Sequence, residues 1–384
     1  IGSWLKTGSS TALPACDRNR SAGALAMATV DYSVLSVGQG LQAESDGLFY
    51  SAQVVMVSES KNRAKAPVKV HFVGYGPEYD EWVGASRLKS KALKAQVAAK
   101  GGKGGKKGKT ERPRVFSLPD QIARFERAKK EDNKRYLDIT TVYDGSVFKG
   151  KRVLIVGASK GLGFEMAKEL KTQDAEVIAT CRSSSPELES SAKQVIKDID
   201  VTSYDSMKKM AEAIKDPLDY VIFNAGYFPD IKDSLDSVQA EEALNQFDIQ
   251  ACGPIRCIGA LKAADKLKGA KVVIISTQAG STRWRFTQNK GEGGNYGHHM
   301  SRAACNIGAV LMSEELKALE VPVVTLHPGF NRTTMTAKFA HIWDAEGAVE
   351  PAEGAKRVLY ECGKITMKTS GQFINCEDGL QIPF

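Results

Sequence analysis

A short glycine-rich run in the second half of the chain has the composition of a phosphate-binding turn. It lies between the apolar run VLIV and the amphipathic run FEMAKEL, and its residues are Gly157, Ala158, Ser159, Lys160, Gly161, Leu162 and Gly163. Glycine lets a tight turn approach a pyrophosphate closely, and the free N–H groups at a helix start attract the anion. Three glycines alone are a weak signal, but their place at a strand–helix junction predicts a dinucleotide site.

Two cations near this turn bear on which dinucleotide it binds. A protein that binds NAD(H) usually has Asp or Glu after its second strand, where the carboxylate holds the ribose 2′-hydroxyl. Here the run AEVIATC is followed by Arg182. Because Arg182 and Lys160 suit a 2′-phosphate, we predict that NADP(H) is favoured over NAD(H). The alternative is that both are solvated surface charges.

The elements that must position this turn follow from the pattern of residues 151–384. Apolar runs rich in β-branched residues, such as KRVLIVG, LDYVIFNAG and VPVVTLHPG, alternate with amphipathic runs. Strands that are covered on both faces have such nearly unbroken apolar character. One helix is expected near residues 204–214 and another from about His299. Alternating units of this kind predict an α/β fold with a Rossmann-type, doubly wound parallel sheet.

Over roughly residues 151–384 the chain resembles the short-chain dehydrogenase/reductase family. The resemblance rests on the glycine turn and on a series of later motifs. In chain order these are Asp200, Val201, Asn224, Ala225, Gly226, Ser276, Thr277, the run SRAACN, Pro328, Gly329 and Thr333. It implies binding of NAD(P), with Asp200 and Val201 near the adenine and Thr333 at the nicotinamide carboxamide. It also implies a homo-oligomer.

The resemblance places four catalytic positions, and the residue at each differs from the family's. The family uses a Tyr, a Lys four residues later, a Ser and an Asn in proton transfer. Aligning SRAACN puts His298 at the Tyr and Arg302 at the Lys. The same registers put Thr277 at the Ser and Gln250 at the Asn.

Each replacement keeps part of the chemistry. A histidine titrates near pH 6.5 and can donate a proton, Arg302 can hold ribose hydroxyls, and Thr277 retains a hydroxyl. An arginine cannot shuttle a proton, however, and His298 could instead be a helix-start histidine bonded to the backbone. The segment 293–306 is most similar to the carbonyl-reductase-like branch, with Tyr296 at that branch's earlier, non-catalytic Tyr.

These residues predict an NADP(H)-dependent short-chain oxidoreductase that acts on a carbonyl or alcohol with an atypical catalytic set. The alternative is a catalytically impaired nucleotide-binding protein that serves as a chromatin or nucleic-acid interaction module. The long segment before the SRAACN run carries Arg283, Trp284 and Arg285. These residues could line a substrate pocket and attract an acidic group, or they could pack at a dimer contact.

The first 150 residues divide into zones by composition. We expect a disordered extension or translated leader over 1–30, an all-β unit over 31–88, a Lys/Gly-rich linker over 89–114 and a helical docking segment over 115–150. The leader interpretation depends on Met27, the first methionine. In the docking segment Ile122, Phe125 and Tyr136 have helical spacing.

The run VKVHFVGYGPEYDEWVGASRLK resembles the chromo-barrel (Tudor-knot) domains of chromatin proteins, and its DEW triplet is the most specific part. Such domains can form an aromatic cage whose ring faces attract methylated lysine. The resemblance matches Trp82 to a structural tryptophan. It places at the cage positions Tyr50, Phe72, Tyr75 and Tyr79. The alternatives are that these rings only pack a small barrel, or that the unit contacts RNA or DNA with help from the basic linker.

Charge and cysteine usage exclude several classes of protein. The residues 87–114 hold eleven Lys or Arg and one acid, so this segment alone carries a charge of +10. The net charge of the whole chain is +8, so the basicity belongs to the linker and not to a domain. No run reaches the ~18 apolar residues of a membrane helix. The seven cysteines include no CxxC pair, so they do not predict a zinc or redox site. We therefore expect an intracellular protein, cytoplasmic or nuclear, with no metal and no membrane span.

Overall fold

The chain divides into two units, Ile1–Pro113 and Arg114–Phe384. The computed structural model describes residues 31–45, 48–73, 76–90, 92–93, 116–231, 233–288 and 293–384. The predicted extension over 1–30 and nearly all of the predicted linker over 89–114 therefore lie outside the described residues. Across the described ranges, no helix combines the length and the hydropathy that crossing a membrane requires.

The first unit contains a five-stranded antiparallel sheet. Its strands are β1 (Gly40–Ser45), β2 (Leu48–Val57), β3 (Val68–Phe72), β4 (Glu81–Val83) and β5 (Leu88–Lys89). They are ordered β4-β3-β2-β1-β5, and a bulge interrupts the β2–β3 register between Val54 and Met56. Burial alternates along β3, because successive side chains of a strand point to opposite faces. The short strands expected from the sequence are present, and the likeness to a chromo-barrel stays a prediction.

The second unit is built on a seven-stranded sheet in which every pair is parallel. Its strands are β6 (Arg152–Val156), β7 (Glu176–Thr180), β8 (Gln194–Ile196), β9 (Tyr220–Phe223), β10 (Lys271–Ile275), β11 (Val323–His327) and β12 (Phe373–Asn375). They are ordered β12-β11-β10-β9-β6-β7-β8. The strand order thus reverses between β6 and β9, which is where open α/β sheets bind ligands. The predicted Rossmann-type fold is confirmed.

Helices cover both faces of this sheet. The α-helices of the second unit are α1 (Gln121–Lys130), α2 (Lys134–Leu137), α3 (Gly161–Thr172), α4 (Pro186–Ser191), α5 (Tyr204–Ala213), α6 (Ala240–Phe247), α7 (Gly253–Ala263), α8 (Tyr296–Glu315) and α9 (Pro351–Gly363). One apolar core joins α5, α7 and α8 to one face, and a second joins α3 and α9 to the other. Burial on both faces explains why the central strands are apolar at almost every position.

The docking segment forms a helix, but its buried face differs from the predicted one. Ile122 is 49% exposed, whereas Gln121 and Arg124 are buried. Two polar side chains are buried there because each finds hydrogen-bond partners inside the second unit. The helical pattern does not run through to Tyr136, since α1 ends at Lys130 and Asp132 has a positive φ.

Candidate functional site

The glycine turn joins β6 to α3 at the point where the strand order reverses. Gly157 has a φ of 88°, and a Cβ there would lie 2.8 Å from the Ala225 Cα. A Cβ at Gly163 would lie 2.2 Å from the Gly157 carbonyl oxygen. At Gly161, whose φ is 57°, a Cβ would meet nothing within 4 Å. Two of the glycines are therefore required by close packing, while the space beside the third is open.

The glycine turn is anchored by a hydrogen bond at Gly157, and two of its middle residues are exposed. Asn224 Nδ2 donates to the Gly157 carbonyl oxygen at 2.8 Å, which fixes the end of β9 against the turn. Ser159 and Lys160 are exposed, and Leu162 packs against the core. No side chain caps the first turn of α3. Its first N–H groups therefore receive no hydrogen bond from the side chain of Lys160, the residue before the helix, and binding of an anion there stays a prediction.

Arg182 and Asp200 lie near each other beyond the ends of β7 and β8. Hydrogen bonds from the backbone and hydroxyl of Thr202 lower the pKa of Asp200, and the positive charge of Arg182 contributes to the same shift. Arg182 is exposed. Val201 is buried and lines the position where Gly253 begins α7. Arg182 and Asp200, which the sequence assigned to the adenosine end of the dinucleotide, are thus close to one another.

α8 begins at Tyr296, so the start expected near His299 is wrong. The helix starts earlier because the Asp233 carboxylate accepts the Tyr296 N–H at 3.0 Å, a contact between residues far apart in sequence. His298 and Arg302 are consequently both inside the helix, four residues apart, and share one face.

Gln250 and Arg302 are buried side by side next to Gly226. Gln250 belongs to a π-helical turn, Asp248–Cys252, and its Nε2 donates to the Ser301 hydroxyl at 3.2 Å. Arg302 Nη1 donates to the Ile275 carbonyl oxygen at 3.0 Å. A Cβ at Gly226 would lie 2.6 Å from Arg302 Nη2 and 3.5 Å from Gln250 Oε1. Within the described part of the chain, Gln250 Oε1 and Arg302 Nε have no hydrogen-bond partner.

His298 is held against an aromatic ring and is neutral. Its imidazole stacks on Phe228 with centroids 4.1 Å apart, and its buried Nδ1 has no partner among the residues described. Burial lowers the pKa of His298 well below its ordinary value, and the charge of Arg302 acts in the same direction. The histidine that bonds to the backbone is His299, whose Nδ1 lies 3.0 Å from the Ala279 carbonyl oxygen.

The loop after β10 is fixed to α8. Ser276 donates to Asn306 Oδ1 at 2.7 Å, and Asn306 Nδ2 donates to the Gly280 carbonyl oxygen at 3.2 Å. Thr277 stays partly exposed, and its hydroxyl oxygen accepts the Ala279 N–H at 3.3 Å. The structure therefore fixes the loop that carries Thr277 to the helix that carries His298.

The turn after β11 packs on a buried carboxylate. Gly329 follows Pro328 and has a φ of 82°, and a Cβ there would lie 2.6 Å from Glu377 Cγ. The Thr333 N–H donates to the Thr336 hydroxyl at 3.1 Å. Thr333 is partly buried at the end of this turn.

Neither role considered for Trp284 is right. Its side chain is 4% exposed and packs with Phe373 and Ile382 inside the second unit. A ring buried in this way neither lines an open pocket nor reaches a second subunit. Arg283 remains at the surface.

Two residues beside the candidate site were not predicted from the sequence. Phe228 follows the Asn224-Ala225-Gly226 motif by two residues, and Lys338 Nζ lies 3.6 Å above its ring while donating to the Pro229 carbonyl oxygen at 2.9 Å. The aromatic pair Tyr227-Phe228 right after that motif was a usable signal for Phe228. Lys338 is 110 residues further along the chain, and the sequence around it gives no signal that it lies beside Phe228.

The aromatic residues matched to the cage of the first unit differ in their burial. Phe72 is 4% exposed and belongs to the core, with Tyr50 in an edge contact at 5.9 Å. A ring buried in the core presents no face to a ligand. Tyr79 is exposed, and Tyr75 lies outside the described residues. The ring of Trp82 is covered by the Arg63 guanidinium at 4.0 Å.

Comparison with known families matches residues 151–342 to the family described as short chain dehydrogenase. The chain belongs to this family. The 1-hydroxy-2-glutathionyl-2-methyl-3-butene dehydrogenase of Rhodococcus sp. is 29% identical over 224 residues, which are 58% of this chain and 94% of that protein. The C-signal protein of Myxococcus xanthus is 29% identical over 170 residues, 44% of this chain and 93% of its own.

Two solved structures share the fold of the second unit. The NADPH-bound carbonyl reductase from chicken fatty liver superposes with a TM-score of 0.54 at 20% identity, over 65% of this chain and 98% of its own. The carbonyl reductase Sniffer of D. melanogaster gives a TM-score of 0.53 at 23% identity, over 61% of this chain and 99% of its own. The family predicted for the C-terminal part of the chain is confirmed.

Proposed function

We propose that the chain is an NADP(H)-dependent oxidoreductase of a carbonyl or alcohol substrate, with Gln250, Thr277, His298 and Arg302 as its catalytic set. One observation carries the proposal. Gln250 Oε1, His298 Nδ1 and Arg302 Nε are buried without hydrogen-bond partners among the described residues. Buried polar atoms are normally satisfied, so unpaired atoms on three of the four catalytic positions support a ligand there.

The residues around the glycine turn fit a dinucleotide. The open space beside Gly161 and the uncapped start of α3 suit a pyrophosphate. Arg182, near Asp200, and the exposed Lys160 offer positive charge to a 2′-phosphate, which supports NADP(H) over NAD(H). Asn224, Ala225 and Gly226 would border the ribose, and Pro328, Gly329 and Thr333 the nicotinamide. When bound, the nicotinamide supplies or accepts a hydride.

The neutral state of His298 determines what this residue does. At neutral pH the ring is neutral and has a single N–H. In carbonyl reduction it would therefore donate a hydrogen bond to the substrate oxygen while water supplies the proton, and in alcohol oxidation it would accept the proton of the alcohol. Burial lowers the pKa of Arg302, but an arginine remains cationic, and its guanidinium is held by the Ile275 carbonyl oxygen. It therefore supplies a fixed positive charge next to Gly226. The Thr277 hydroxyl would hydrogen-bond the substrate oxygen.

The test uses the full chain, NADPH and a panel of aldehydes and ketones. We expect His298→Ala to lose turnover and to keep NADPH binding, measured by cofactor fluorescence. Met300→Ala is the matched control, because Met300 lies on the same helix with an exposed side chain. NADPH binding without turnover on any substrate would favour the alternative, a nucleotide-binding interaction protein. Absence of NADPH binding would reject both.

For the first unit, we infer a chromo-barrel-like module whose aromatic residues pack the barrel. Burial of Phe72 and the contact of Tyr50 with it support packing in preference to a methyl-lysine cage. In a fluorescence titration, a trimethyl-lysine peptide should bind no more tightly than the same peptide without methyl groups.

Titration with single-stranded RNA and DNA at two salt concentrations tests the nucleic-acid alternative. Light scattering tests the homo-oligomer that the family resemblance implies.

A further inference from the structure

A buried ion pair joins the segment before β6 to the segment after β12. Arg124 on α1 donates from Nε to Glu377 Oε2 at 3.2 Å, and the two side chains are 1% and 0% exposed. Gln121, one helical turn earlier, donates from Nε2 to Glu377 Oε1 at 2.8 Å. The match to the short chain dehydrogenase family begins at residue 151. Arg124 therefore lies outside the region that defines the family.

Arg124 also contacts the loop that carries Thr277. Its Nη2 donates to Gln278 Oε1 at 2.6 Å, and Gln278 is the next residue after Thr277. Its guanidinium lies 5.3 Å from the ring centroid of the buried Trp284. The position of this loop is thus fixed on one side by α8 and on the other by α1.

Glu377 contacts the second loop at the same edge of the sheet. Its Oε1 accepts the Phe330 N–H at 3.2 Å, and the Gly329 turn packs directly on its side chain. That turn leads to Thr333, the residue placed at the nicotinamide. One ion pair consequently supports both loops that border the proposed nicotinamide half of the site.

The carboxylate of this pair is charged. Burial alone would raise the pKa of Glu377, but the positive charge of Arg124, with smaller effects of His327 and Arg357, lowers it to about 2. A buried ion pair adds little net stability, because removing two charges from water offsets their attraction. Such a pair instead holds the groups that are hydrogen-bonded to it, here Gln121, Gln278 and the Phe330 N–H, in one defined arrangement.

We propose that Arg124 is a positioning residue for the nicotinamide half of the dinucleotide site, acting on the Thr277 loop through Gln278 and on the Gly329 turn through Glu377. The inference rests on the proposed binding of NADP(H). The adenosine half of the site is formed by the glycine turn, Arg182 and Asp200. None of the contacts of the pair given above reaches those residues, so the effect of Arg124 is confined to one half of the ligand.

The experiment compares two ligands on the full-length chain. NADPH spans both halves of the site, whereas adenosine 2′,5′-bisphosphate lacks the nicotinamide. For Arg124→Met we expect the Kd of NADPH to rise roughly tenfold or more, and the Kd of the bisphosphate to stay within about twofold. Arg127→Ala is the matched control, since Arg127 lies on the same helix in an exposed pair with Glu131. It should change neither Kd.

A second variant covers the case in which one unpaired buried charge unfolds the protein. The double variant Arg124→Met/Glu377→Met removes both charges together, so that neither is left buried alone. It should show the same selective loss of NADPH affinity. Equal losses for the two ligands, or no loss in the double variant, would overturn the inference. A wild-type chain that binds the bisphosphate and NADPH equally weakly would instead overturn the proposed cofactor, and the inference with it.

Discussion

Replacing Gly163 with alanine tests whether backbone packing sets the glycine turn. The added Cβ would lie 2.2 Å from the Gly157 carbonyl oxygen and 2.6 Å from Asn224 Nδ2. Those two atoms form the hydrogen bond that ties the turn to the end of β9. Ordinary contact begins at 3.4 Å, so the carbonyl must retreat by about 1 Å. A backbone carbonyl cannot move that far without breaking this hydrogen bond.

The magnitude follows from three contributions. Loss of the hydrogen bond costs about 1 kcal/mol, and overpacking costs about 1–3 kcal/mol. Alanine in a helix regains about 0.5–1 kcal/mol relative to glycine. We therefore expect the Gly163→Ala free energy of unfolding to fall by about 1–3.5 kcal/mol. We also expect the Kd of NADPH to rise roughly tenfold or more, because the displaced turn is where the pyrophosphate would sit.

Urea unfolding followed by far-UV circular dichroism measures the stability, and cofactor fluorescence measures the Kd. Gly259→Ala in α7 is the control, because a Cβ there meets nothing within 4 Å. It should stabilise the protein by about 0.5–1 kcal/mol and leave the Kd unchanged. A Gly163→Ala protein as stable as wild type, with the same affinity for NADPH, would refute the packing argument.

Three further predictions concern charge. Arg182→Ala should weaken NADPH binding roughly tenfold and leave NADH binding unchanged, and equal Kd changes would contradict a 2′-phosphate contact. Alcohol oxidation needs neutral His298, whose pKa is lowered by burial; kcat/KM should therefore hold from pH 7 to below pH 6.5 and fall only at lower pH, and a midpoint at or above 6.5 would oppose this. Burial lowers the pKa of His327 to about 4, so between about pH 6.5 and 4 the unfolded chain binds a proton that the folded chain does not. As the pH falls through that range, the free energy of unfolding of wild type should therefore drop by about 3 kcal/mol more than that of His327→Leu, as measured by urea unfolding.

Features encoded in short stretches of sequence were predictable. The glycine turn and the parallel strands depend on local spacing and unbroken apolar runs, and both are present. The start of α8 was missed because it depends on Asp233, which lies 63 residues before Tyr296. The buried face of α1 was missed for the same reason. Arg124 looks like a solvated charge until Glu377, 253 residues later, is placed beside it.

In the candidate site, too, some features could be predicted from the sequence and others depend on residues far apart in the chain. The family resemblance selected His298, Arg302 and Gln250, and the structure brings Gln250 and Arg302 together beside Gly226. Their roles stay predictions. The protonation state of His298 could not be read from its position in the sequence, because it depends on Phe228, Arg302 and the depth of burial. The roles of Phe72 and Trp284 stayed open in the sequence, because an aromatic residue at a plausible position can equally well belong to the core.

The ion pair between Arg124 and Glu377 has a consequence for how the protein is made. Ribosomes add roughly 5–20 residues per second, so the 253 residues that separate the partners take on the order of 13–50 s to synthesise. Throughout that interval α1 has been translated, but the carboxylate that covers its polar face has not. The helix that precedes the nucleotide-binding fold in the sequence therefore cannot make its contact with Glu377 until almost the whole chain has been synthesised. A premature stop codon before residue 377 would leave this early segment without its partner.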